Sequence, residues 1–218
     1  CKTITLKHSK KNPTPIIAGN VSFYNESKDK PIPPSPIISC LGRIKDVRKA
    51  ITMSFKKENS PIILIGKRKN ELGGSIFYDL YNELGKNIPT PDLDEVRKQI
   101  YGITDCIERG LVFACHDISE GGVAASLCEM AFDNSIGCSV NIESKLSTEK
   151  VLFSETGGFI LETKNENVES IHSIFNQYKL DAYVIGITGG DKIKLNDTVD
   201  IKVNDAKKSW ENALQYKL

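Results

Sequence analysis

The sequence predicts an α/β (α+β) protein, a mixed β-sheet with helices packed on it, on three observations. Short apolar runs suited to buried strands alternate with segments whose apolar residues recur at helical spacing. Glycine pairs stand at two strand-to-helix junctions, Gly73-Gly74 and Gly121-Gly122. The chain is 218 residues long with 39% hydrophobic and 26% charged residues, enough for one or two ordinary globular domains.

Residues 1–12 alternate around Ile4 and Leu6 and then turn basic, and they read as the end of a unit begun elsewhere. Residues 14–26, TPIIAGNVSFYNE, have strand composition. On such a strand Asn20, Ser22 and Tyr24 share one face, and Val21 and Phe23 the other. Gly19 removes a Cβ where a ligand could approach the backbone. Pro31, Pro33, Pro34 and Pro36 hold the next loop extended, and residues 36–44 read as a second strand. Two strands are too little for a core. The boundary is therefore expected near Lys45, with residues 1–45 the tail of an incomplete domain and residues 46–218 an α/β domain.

Within the second part, residues 61–66 read as a buried strand, and Gly73-Gly74-Ser75 opens a helix expected to reach Leu84. Asp92 caps a long helix carrying Leu93, Val96, Ile100, Ile103 and Ile107. The central stretch is the strand 111–115 followed by HDISEGGVAASLCEMA, residues 116–131. Val123, Leu127, Met130 and Ala131 form one apolar stripe at helical period. A strand feeding a helix through paired glycines presents main-chain N–H groups at a helix start, which favours anions. Strands follow at 136–142 and 159–162, and a helix is marked by Val168, Ile171, Phe175 and Tyr178. A strand at 182–187, a hairpin at 192–202 around Asn196-Asp197, and a helix with Ala206, Trp210, Ala213 and Leu214 complete the chain.

Composition excludes several classes. Twenty-nine basic and 28 acidic residues give a net charge of +1 without charge blocks, which argues against nucleic acid or a polybasic membrane contact as partner. No apolar run approaches the ~18 residues of a membrane span, and a cytoplasmic location is expected. Cys1, Cys40, Cys106, Cys115, Cys128 and Cys138 contain no CxxC pair. They are expected to be reduced and unligated, with Cys115 and Cys128 buried. None of the glycine turns fits a P-loop or GxGxxG.

AGNVSFYNES, the following IPPSP, LGGS at 72–75, HDISEGG at 116–122 and LFSE at 152–155 occur in one order. In this the chain resembles the C-terminal part of the phosphoribosylformylglycinamidine synthase family, within the aminoimidazole ribonucleotide synthetase-like superfamily. The resemblance covers nearly the whole chain, and GNVSFYNE is its most specific run. It implies the last strands of an N-type, ATP-binding domain at 1–45, then a C-type domain of the second half at 46–218.

The implied activity is that of an ATP-dependent carbon–nitrogen ligase of purine biosynthesis. It converts formylglycinamide ribonucleotide, glutamine-derived ammonia and ATP into formylglycinamidine ribonucleotide, ADP and phosphate. By resemblance Gly19 lies against ATP, Asn20 gives an oxygen to Mg²⁺, and Ser22 contacts the ribonucleotide. Gly74, Ser75, His116, Asp117, Ser119, Gly121 and Gly122 hold turns or line a second, pseudosymmetric site. No catalytic residue is assigned to this chain, because the family's catalytic histidine belongs to the N-terminal part. The partners implied are that N-terminal half, a glutaminase subunit and a small accessory subunit, and the chain alone is expected to be inactive. The other readings are another ATP-using enzyme of the superfamily, such as aminoimidazole ribonucleotide synthetase or selenophosphate synthetase, and a non-catalytic scaffold half holding a structural nucleotide.

Three departures from the family pattern stand out. Ala18 replaces a serine, and Pro34-Ser35-Pro36 replaces Pro-Thr-Pro. Thr156-Gly157-Gly158-Phe159 lacks the family's arginine, which weighs against a phosphate contact in the second site.

Overall fold

PIILI, the five residues of β1 (Pro61–Ile65), is apolar throughout because both of its faces are covered, and all five residues are buried. Ile62 and Leu64 point into one core and Ile63 and Ile65 into another. That alternation follows from the twofold repeat of a strand and makes β1 the axis of the domain. The computed structural model describes residues 16–20, 25–26, 30–32 and 37–213. The chain divides into two compact units, Cys1–Arg48 and Lys49–Leu218.

In the first unit the described residues 16–20 and 37–44 are exposed and have no regular structure, which corrects the strand expected over 36–44, while residues 21–24 of the strand expected over 14–26 lie outside the described residues. Its described pairing is one bridge, Glu26 with Pro31, supported by Ile32 N–H donating to the Asn25 carbonyl at 2.8 Å. Strand composition alone does not hold a strand. A strand's N–H and C=O groups need a neighbour, and among the described residues these segments have none. The alternating residues 1–12 and the strand face expected to carry Ser22 and Tyr24 lie outside the described residues.

The second unit is a seven-stranded mixed sheet between two helical layers. Its other strands are β2 (Val112–Asp117), β3 (Cys138–Val140), β4 (Phe159–Thr163), β5 (Ala182–Thr188), β6 (Lys192–Leu195) and β7 (Val199–Lys202). They run in the order β2-β4-β1-β5-β3-β6-β7, and only β3 and β6 pair in parallel. The helices are α1 (Ile76–Asp79), α2 (Leu93–Glu108), α3 (Gly122–Phe132), α4 (Thr148–Phe153), α5 (Val168–Gln177) and α6 (Val203–Asn212). One face of the sheet carries α3, α4 and α6, with Val123, Leu127, Met130 and Ala131 buried as the stripe predicts. The other carries α2 and α5.

Several boundaries differ from expectation. α1 ends at Asp79, well short of Leu84, because Asn82 turns left-handed at φ 56° and Leu80, Tyr81 and Leu84 have no core to face. α2 has the expected cap, the Asp92 carboxylate accepting from Asp94 N and Glu95 N. Its buried face is rotated onto Gln99, Gly102, Ile103 and Cys106, leaving Leu93 and Ile100 exposed. Gly102 sits there because any side chain would meet the Phe175 ring. β3 is shorter than residues 136–142, and α4 was not expected. Cys106 and Cys138 are the buried cysteines, while Cys115 and Cys128 are half-buried, and the five described cysteines are free thiols.

Candidate functional site

Three of the motif segments converge on one side chain. β2 runs two residues further than expected, so His116 and Asp117 belong to the strand and not to the turn. Ile118 N–H then donates to the Gly158 carbonyl at 2.9 Å, and Gly122 N–H to the Ser119 carbonyl at 3.1 Å. Gly121 and Gly122 both adopt positive φ, 75° and 67°, and α3 starts there with no side chain able to cap it. The acceptor comes from LFSE instead. Glu155 Oε1 accepts from Gly121 N at 3.0 Å and from Ile76 N at 2.9 Å.

Ile76 follows Gly73-Gly74-Ser75. Gly73 N–H and Gly74 N–H donate to the Asn87 and Leu84 carbonyls, which pins this turn to the 84–87 loop. The Ser75 hydroxyl donates to the Leu72 carbonyl at 2.6 Å and accepts from Tyr78 N, capping α1. The structure thus joins the Gly74-Ser75 and Gly121-Gly122 turns through one carboxylate, which touches Ile76 N and Gly121 N.

The polar residues expected beside them go elsewhere. His116 Nε2 lies 2.8 Å from Glu129 Oε2 on α3, and Nδ1 lies 3.2 Å from Asp117 Oδ1. It ties β2 to α3. Asp117 and Ser119 are exposed, and their carbonyls, not their side chains, make the turn.

Beyond Glu155 the wall is held by an arginine that sequence reasoning passed over. Arg68 donates to the carbonyls of Thr156 and Gly157, and the Thr156 hydroxyl donates to Glu71 Oε2 at 2.8 Å. Burial pulls the Arg68 guanidinium down to about 10, with Glu71 and Glu95 acting in the opposite direction, so it stays charged at neutral pH. An arginine thus reaches the loop whose own arginine is missing, but both its Nη groups are spent on carbonyls. In sequence it was one charge among several in GKRKNE. A cleft of about 190 Å³ opens here, lined among others by Lys67, Lys69, Glu71, Glu95, Glu155 and Thr156. Its charged lining is of mixed sign, and Pro89, Pro91 and Val96 make the rest of the wall largely apolar.

In the first unit, Gly19 and Asn20 are exposed, and a Cβ placed on Gly19 would meet no atom within 4 Å. Ser22 lies outside the described residues. No group of three or more His, Cys, Asp or Glu among the described residues is placed to hold a metal ion. No helix among them is long and apolar enough to cross a membrane.

The chain is 35% identical over 221 aligned residues to phosphoribosylformylglycinamidine synthase subunit PurL of Methanothrix thermoacetophila, covering 98% of this chain. It spans only 29% of that relative's length. Among solved structures, T. maritima PurL complexed with FGAR superposes with a TM-score of 0.64 at 17% identity, covering 73% of this chain and 29% of the other. T. maritima PurL complexed with ATP gives 0.59 at 18% identity, covering 73% and 27%. At such identities the likeness establishes the fold. Residues 57–197, more than half of the chain, match the family described as AIR synthase related protein, C-terminal domain, and the chain belongs to that family.

Proposed function

We propose that this chain is the C-terminal part of an ATP-dependent ligase of the phosphoribosylformylglycinamidine synthase type. The observation that carries the reading is identity to a PurL subunit sustained over 98% of the chain. In the proposed reaction, the amide oxygen of formylglycinamide ribonucleotide takes the γ-phosphoryl group of ATP, releasing ADP. Ammonia then displaces phosphate to leave the amidine. Such chemistry depends on positioning and on neutralising phosphate charge. Residues 1–45 would be the tail of the ATP-binding domain and residues 46–218 the C-type domain, acting in the cytoplasm with an N-terminal half, a glutaminase and a small accessory subunit.

The residues present fit this role in part. The open space at Gly19 lets a nucleotide come against the main chain. The Asn20 carboxamide offers one hard oxygen without adding charge, whereas Mg²⁺ needs near-octahedral oxygen coordination, so its remaining ligands would come from outside this chain and from water. Mg²⁺ would supply neutralisation of the triphosphate. Ser22 would contact the ribonucleotide. The 49–218 unit contributes no catalytic group in this reading. It supports the site as a scaffold, and the chain alone is inactive.

The test replaces the matching C-terminal part of the Methanothrix thermoacetophila relative with this chain and measures ATP- and ammonia-dependent amidine formation. Turnover is expected from the chimera and none from the 218-residue chain alone. Asn20→Ala in the chimera should lower kcat/KM by a factor equivalent to about 2–4 kcal/mol, with an unchanged melting temperature. Ser22→Ala should raise KM for the ribonucleotide more than KM for ATP. A chimera that melts cooperatively yet turns over nothing, or an Asn20→Ala variant with undiminished kcat/KM, would overturn the assignment.

A further inference from the structure

We infer that Glu155 is a built-in anion: its carboxylate locks the two glycine turns, 73–76 and 119–122, to each other and fills the main-chain donors that an external phosphate would need. This does not depend on the proposed reaction, because it concerns the chain's own structure. A single oxygen, Oε1, accepts from Ile76 N and Gly121 N at 2.9 and 3.0 Å. These amides belong to the starts of two different helices, and the first amides of a helix have no partner within it. Gly121 has no side chain to cap with, so a residue 34 positions away provides the acceptor. The neighbouring amide, Gly122 N, is already spent on the Ser119 carbonyl.

Glu155 is also held from behind. Ser154 is fully buried, Thr156 is bonded to Glu71, and Arg68 grips the carbonyls of Thr156 and Gly157. The carboxylate therefore does not swing aside freely, and a phosphate at these amides would have to displace it against charge repulsion. Gly73-Gly74-Ser75 and Gly121-Gly122 are in this chain a closed latch and not a vacant phosphate cradle. Glu155 lines the cleft, so a small solute can reach the place its side chain occupies.

The test uses the full 218-residue chain with Glu155→Ala and Glu155→Gln, read by amide hydrogen exchange and thermal melts. Glu155→Ala should speed exchange at Ile76 and Gly121 by roughly tenfold or more while leaving β1 protected, since only local opening is changed. Sodium acetate should restore part of that protection and of the melting temperature, relative to sodium chloride at equal ionic strength. Glu155→Gln, which keeps one acceptor oxygen, should fall between the two and serves if the alanine variant does not fold. The unmutated chain should gain nothing from acetate or inorganic phosphate beyond the chloride control. Unchanged exchange in both variants, or uniform loss of protection without acetate rescue, would overturn the inference. So would phosphate-dependent protection of Ile76 and Gly121 in the unmutated chain.

Discussion

Gly122 and Gly74 have nearly the same left-handed φ, 67° and 70°, yet they answer to different constraints. A Cβ on Gly122 would lie 2.7 Å from the Leu152 carbonyl oxygen and 2.8 Å from that of Ser154, main-chain atoms at the end of α4. A Cβ on Gly74 would meet nothing within 4 Å. Gly74→Ala should therefore cost only the left-handed conformation, about 1 kcal/mol. Gly122→Ala adds a clash that must push α3 from α4, and should cost about 3 kcal/mol or more. Urea unfolding of both variants checks this, and equal losses would mean that the α3–α4 contact yields easily. Both glycines were legible in the sequence because pairs of glycines at strand–helix junctions have few other uses. Glu155 was not. Its donors are 34 and 79 positions away, and a glutamate that bridges distant amides looks in sequence like one that faces water. His116 is expected to hold the turn or line a second site, and its ring instead fastens β2 to α3 through Glu129, with Asp117 at its other nitrogen.

Elements stated by their own residues were read correctly. Asp92 before LDEVRK is a local signal, and its carboxylate receives Asp94 N at 2.9 Å and Glu95 N at 3.2 Å. Because Asp92 is exposed, Asp92→Ala should remove the cap and nothing else, lowering unfolding free energy by about 1 kcal/mol, while Asp92→Ser retains most of it. Chemical denaturation with an unchanged slope is the measurement, and a loss shared by Asp92→Ser would place the effect elsewhere. Asn196-Asp197 was equally local, with φ 47° and 50° as a tight hairpin turn requires. What could not be read were elements decided by neighbours. Residues 37–44 have the β-branched composition of a strand without a described strand beside them. α4 has only six residues, too few to show a period, and is fixed by packing Val151 and Leu152 against α3. α2 kept its length, but the face it buries was set by α5 through Phe175 and could not be inferred from Leu93 or Ile100.

At the scale of the whole molecule the sheet separates two cores, and each contains a buried cysteine. Cys106 lies in the α2–α5 layer and Cys138 in the layer of α3, α4 and α6. Burial pushes both thiols up to about 12, so at pH 8 neither is a thiolate, and each should react only when its layer opens. Pulsed alkylation with mass spectrometry should label exposed Cys40 at once, and Cys106 and Cys138 later at one common rate set by global unfolding. Separate rates would show that the layers open independently. The position of β1 bears on how such a chain comes to exist. Both its neighbours are late in the sequence, Phe159–Thr163 and Ala182–Thr188. Synthesis proceeds at about 5–20 residues per second, so PIILI waits on the order of ten seconds after its own translation before β5 is made. For most of that interval, until β4 is made, this fully apolar strand is a naked, sticky ribbon with neither of its neighbours to join. For this fold the newborn chain's hazard is set by the calendar of translation more than by the stability of the finished sheet.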